Sequence, residues 1–223
     1  MQENYLENNQ AGIASNTPKG VKIVAQFLSY VFHPVFLPLY FVYFLVYLHP
    51  FQFLGFTPIM KLFVMLQAFA MYFFFPMVTV GLLKALKFID SIHLYNRKDR
   101  IIPLVACGIW YFWIWYVWRN VPDYPSTIVH MALGIWMAAS VGLFINSFMK
   151  VSLHGLSLGG LLMLLLQLSL TESIHYGWYL SIAILITGAV STARLLVSDH
   201  RAAEVYVGLL TGALTMFLTS FFV

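Results

Sequence analysis

Apolar residues in this chain come in long runs, near 22–49, 59–83, 101–118, 126–149, 154–171, 177–196 and 202–223, separated by shorter links. A helix needs about 20 apolar residues to cross the hydrocarbon core of a bilayer. The pattern therefore predicts an all-α, polytopic transmembrane bundle of about seven spans. The first run is overlong and carries His33, Pro34 and Pro38, so it is expected to kink or to lie partly in the interface, which would leave six. His33, just before a proline, reads as a packing residue. Residues 1–20 are rich in Asn, Gln and Glu and lack the basic, apolar, small-residue order of a cleaved signal peptide. They are expected to be retained and poorly ordered, with 21–223 forming a single integral membrane domain.

Composition narrows the function classes. The chain is 61% hydrophobic and 9% charged, with a mean hydropathy of +0.83 and a net charge of +4. No Lys/Arg block interleaved with aromatics points to nucleic acid. One cysteine, Cys107, excludes disulfides and cysteine metal sites within one chain. Trp110, Trp113, Trp115 and Trp118, bunched towards Arg119, read as an interfacial belt.

Charge gathers in three places. The stretch from Arg194 to Glu204 holds Arg194, Asp199, His200, Arg201 and Glu204 between two apolar runs, where ionised groups need a partner or a purpose. His200 and Glu204 stand four apart, on one face if the segment is helical. A carboxylate there would fix the tautomer of the imidazole and leave its other nitrogen to attack or to carry a proton. Ser198 or Asp199 could cap that helix, leaving its first N–H groups ready for an anion. Arg194, placed across a break in the chain, has the planar donor fork that suits phosphate. The bland alternative is a membrane-boundary loop with snorkelling arginines and a structural His–Glu pair. The link 84–100 is either a cytoplasmic loop following the positive-inside rule or a phosphate loop, with Arg100 and Lys98 its hands. Lys150, Ser152 and His154 either begin a helix in the ordinary way or donate to a phosphate and supply a proton. Gly155 and Gly159 make a small-residue stripe suited to close helix packing.

Two spans separate the first cluster from the second and two separate the second from the third, so all three should emerge on one face. His49, His175 and Arg119 on the other face show no such gathering, and Glu172 and His175 read as solvated. With seven spans, ten of the 12 Lys and Arg lie on the face of the clusters, leaving Lys61 and Arg119 opposite. The positive-inside rule then puts the N-terminus and the clusters on the cytoplasmic side, in a bacterial inner membrane.

The clusters resemble the motifs of the type 2 phosphatidic acid phosphatase superfamily, integral membrane enzymes related in fold to vanadium haloperoxidases and glucose-6-phosphatase. The family's third motif is Ser-Arg, five residues, His, three residues, Asp. Here Ala193-Arg194, five residues, His200, three residues, Glu204 keep that spacing. The second, Pro-Ser-Gly-His, appears as Val151-Ser152-Leu153-His154. The first, Lys, six residues, Arg-Pro, is the most divergent, with His93 seven residues before Arg100 and the proline displaced to Pro103. Lys98 or Arg97 stands in for the missing lysine, or phosphate affinity is lower.

The resemblance covers roughly residues 84–215 and implies an acid phosphatase/vanadium haloperoxidase-like core. By it, His200 would be the nucleophile, Glu204 its orienting carboxylate and His154 the general acid. Arg100, Ser152 and Arg194, with Lys98, would hold the phosphoryl oxygens. It implies no metal and no cofactor. The expected function is hydrolysis of a lipid phosphate or isoprenyl (di)phosphate entering sideways from the surrounding lipids. A lipid phosphotransferase and a catalytically silent relative are the alternatives within the fold, and a small transporter or a haem-binding membrane protein those outside it. Oligomeric state stays open.

Overall fold

The computed structural model of the protein describes residues 18–89, 98–173, 175–197 and 201–222; for Lys98 it describes the backbone only. All regular structure among them is helical. The expected single span over 22–49 is instead two helices, α1 (Lys19–Val31) and α2 (Leu37–Leu48), separated at the turn that holds Pro34. Proline removes a backbone donor and disfavours helical conformation in the residue before it, here His33. Six helices are long and apolar enough to cross a membrane: α3 (Pro58–Ala85), α4 (Ile101–Arg119), α5 (Ser126–Asn146), α6 (Leu153–Thr171), α7 (Gly177–Val197) and α8 (Ala202–Thr219). That is compatible with an integral membrane protein. Large side chains such as Phe63, Ile109, Leu185 and Leu214 stay exposed on the outside of the bundle, which suits contact with lipid.

Local chemistry explains several element ends. Thr57 caps α3, its Oγ1 accepting from the Met60 N–H at 3.4 Å, with Pro58 in the first turn, where its missing N–H costs nothing. Further along α3, Pro76 would break an ordinary helix. The six residues before Phe75, Phe69–Phe74, form a π turn, and the wider turn absorbs the misfit.

The core joins α2 to α6 through Leu45, Tyr72, Trp118, Ile128, Met131 and Leu164. Trp118 departs from the expected belt. It is fully buried and donates from Nε1 to Gln67 Oε1 at 2.9 Å, because the face of α4 that carries it packs inward. Trp115 stacks on Trp136, with the Arg119 guanidinium 4.9 Å from its ring centre.

α6 and α8 lie closest together, and glycines set that distance. A Cβ at Gly155 would lie 2.7 Å from the Val205 carbonyl oxygen and one at Gly208 2.6 Å from that of Ser152; Gly159 faces Leu209, and Gly212 faces Leu156, as tightly. The register advances along both helices together, so they run parallel and begin at the same end of the bundle. The stripe expected at Gly155 and Gly159 thus has its complement in Gly208 and Gly212.

Candidate functional site at the α6–α8 end

Because α6 and α8 start side by side, the segments that precede them meet. The Ser152 N–H donates to the Glu204 carbonyl at 3.1 Å. Val151 is fully buried, and its carbonyl accepts from Arg100 Nη1 at 2.9 Å, which ties the start of α4 to the start of α6. Arg100 is itself buried. Burial lowers its pKa from the ordinary value; the Glu204 carboxylate opposes that shift and the Arg194 guanidinium adds to it. Arg100, from the first motif, therefore lies in the electrostatic reach of Arg194 and Glu204, from the third.

Ser152 caps α6, its Oγ accepting from the Gly155 N–H at 3.3 Å. Both readings of this residue are physically compatible, since an accepting hydroxyl keeps its own proton to donate. His154, also buried, has Nε2 3.0 Å from the Ser29 carbonyl oxygen. A carbonyl only accepts, so Nε2 carries a proton and a second proton would have to sit on Nδ1.

His33, which reads as a packing residue in the sequence, packs against this site. Its ring meets that of His154 edge-on, centroids 5.5 Å apart and planes at 84°. Its Nδ1 accepts from the Val35 N–H at 3.4 Å, a turn that Pro34 favours. Burial lowers the pKa of His33, and the charge of Arg194 lowers it further. The only sequence signal was the break at Pro34, which places this imidazole at the end of a helix and not inside one.

Arg100, Lys150, Arg194 and Arg201 thus share an end of the bundle with Asp99 and Glu204. The N-termini of α6 and α8 add partial positive charge there. Such a surplus suits an anion with several oxygens. His200, with its neighbours Ser198 and Asp199, lies outside the described residues, as do Arg97, His93 and the side chain of Lys98. Among the described residues, no group of three His, Cys, Asp or Glu side chains is placed to hold a metal ion.

The opposite end overturns an expectation. Glu172, read as solvated, accepts from Gln52 Nε2 at 2.6 Å and from the Tyr176 hydroxyl at 2.6 Å, and pairs with His49 Nε2 at 2.9 Å. The backbone N–H groups of Phe51 and Gln52 donate to His49 Nδ1 at 3.3 and 3.1 Å, so the proton sits on Nε2, shared with Glu172 and the Tyr176 oxygen. Burial, then Glu172, pushes the Tyr176 phenol well above its ordinary range. His49 therefore does gather partners, joining the end of α2 to the loop between α6 and α7. His175, by contrast, is exposed as expected.

Comparison with protein-family models, with curated proteins and with solved structures finds no match to this chain.

Proposed function

We propose that the protein is a membrane lipid phosphatase acting through a phosphohistidine. The observation that carries this reading is the meeting of Arg100, Ser152, His154, Arg194 and Glu204, drawn from four helices, at one end of an apolar bundle. In the mechanism, a His200 ring nitrogen attacks phosphorus and the bond to the lipid oxygen breaks. His154 Nδ1 delivers a proton to that oxygen, releasing the alcohol. A water molecule then gives a proton back to His154 as its oxygen attacks the phosphohistidine, which returns free His200 and phosphate. Glu204 holds the His200 imidazole, while Arg100 and Arg194 stabilise the charge that builds on the phosphoryl oxygens.

The test is phosphate release by the purified full chain over phosphatidate, phosphatidylglycerol phosphate, sphingoid phosphates and polyprenyl phosphates. At least one should be hydrolysed, and His200→Ala should abolish that turnover while leaving the protein folded. Release from His200→Ala at the wild-type rate would sink the mechanism, and no release from any substrate would sink the phosphatase reading.

A further inference from the structure

Between α2, α6 and α7 lies a cavity of about 210 Å³, walled almost wholly by apolar side chains and open towards the outside of the bundle. Each wall leads to the cationic cluster. On α6, Leu158 lies one turn beyond His154; on α7, Thr187 lies seven residues, two turns, before Arg194; at the end of α1, Phe32 adjoins His33. The lining runs along α7 from Tyr179 to Thr187, about 12 Å at 1.5 Å per residue. It ends below at Phe44 and Tyr179, whose rings pack on each other beside His49 and Tyr176.

The geometry points to this groove as the seat of one hydrocarbon chain of the substrate, with the phosphate at its cationic end. The assignment rests on the phosphatase reading and narrows the substrate class to lipid phosphates that present a single chain next to the phosphate, as an alkyl or isoprenyl phosphate does. Size supports one chain: the cavity is smaller than the roughly 300–1,000 Å³ of sites that enclose a whole drug-sized ligand. Charge supports the orientation, since the anionic head can sit only at the end that gathers Arg100 and Arg194. The groove adds little net hydrophobic affinity, because a chain entering it leaves lipid that is equally apolar. Its effect is on placement. A chain seated between α6 and α7 lines up the phosphorus with His154 and Arg194, and misplacement at that scale is costly to the rate.

The experiment compares the full chain with Ala183→Trp and Leu162→Trp, each of which fills the groove away from the cluster. The probes are decyl phosphate and para-nitrophenyl phosphate, with both binding and phosphate release followed in phosphatidylcholine nanodiscs. Both variants should lose about tenfold or more in kcat/KM on decyl phosphate while keeping aryl phosphate hydrolysis within about twofold. Ala183→Val, a smaller intrusion, should give an intermediate loss. Unchanged decyl phosphate turnover in folded variants, or equal losses on both probes, overturns the groove assignment. Failure of the wild type to bind decyl phosphate overturns it too. Wild-type binding that the tryptophans weaken, without any phosphate release, keeps the groove and removes the phosphatase reading.

Discussion

The His33 ring stands edge-on to the His154 ring at 5.5 Å, and the carbonyl of Ser29, one turn before His33, accepts a hydrogen bond from His154 Nε2. The segment that closes α1 therefore holds the proposed general acid in one tautomer. Burial and the charge of Arg194 both lower the His33 pKa from its ordinary value. A base whose folded pKa is lowered contributes stability that is complete above its unfolded value, about 6.5, and is lost as pH falls. Among the described residues, the titratable groups facing His33 are His154 on α6 and Arg194 on α7. Thermal unfolding followed from pH 8 to pH 5 should show an acid-side loss that is shallower in His33→Phe than in the wild type. Identical slopes would mean that His33 does not titrate in this setting.

The glycine contact between α6 and α8 has no slack. Gly212→Leu places a side chain against the Leu156 carbonyl, a backbone atom that cannot step aside. The expected cost is at the upper end of overpacking, about 3 kcal/mol or more. Gly188→Ala, at a helical position with nothing nearby, should be neutral or slightly stabilising. Thermal unfolding of both variants in detergent checks the contrast. A stable, monodisperse Gly212→Leu would show that the two helices can separate.

Some of this arrangement was legible in the chain and some was not. The spacing of polar links between apolar runs was enough to place Arg100, Ser152, Arg194 and Glu204 at one end, because span parity is a property of sequence. Parity says nothing about which loop residues touch. Glu172 looked like an ordinary loop carboxylate because His49 and Gln52, its partners, lie more than a hundred residues away. Trp118 was misread for a related reason: a tryptophan near a helix end suits an interface or a core equally, and only the packing of α4 decides. Proline at 34 marked the break in the first run, yet the composition of that run could not reveal that the break returns His33 to the motif end.

Glu204 should tolerate Asp better than Gln. The proposed task is to hold a positively charged imidazole, and the same carboxylate offsets the charge of the buried Arg100. Phosphate release should fall modestly in Glu204→Asp and by about 10²-fold or more in Glu204→Gln, as for loss of an orienting charge. Full activity in Glu204→Gln would make the carboxylate structural.

Tyr176 gives the far end a distinct alkaline signature. Its folded pKa is raised, so its contribution is complete below the unfolded value of about 10 and is lost as pH rises above that. Tyr176→Phe should unfold less steeply than the wild type between pH 10 and pH 11. It should also be less stable at pH 8 by about 1 kcal/mol, for the hydrogen bond lost to Glu172. Equal alkaline slopes would place the titration elsewhere.

Sidedness follows from charge. Lys84, Arg100, Lys150, Arg194 and Arg201 share the motif end, against Lys61 and Arg119 at the other, so the positive-inside rule predicts a cytoplasmic site. With Cys107 replaced, a single cysteine at Asp99 should resist an impermeant thiol reagent in intact cells and react in inverted vesicles. Labelling in intact cells would reverse the orientation.

The brevity of α2 has a mechanical consequence. Its seven α-helical and five π-helical residues reach no more than about 18 Å, against about 27 Å for α8 and 42 Å for α3. Hydrocarbon about 30 Å thick cannot match that flank without deforming. Lipids held to the length of α2 alone would have to compress, and the thinning would lie beside the apolar groove. A headgroup sinking there would have less distance to travel to Arg194, and the short helix would then act on the membrane itself as a ramp.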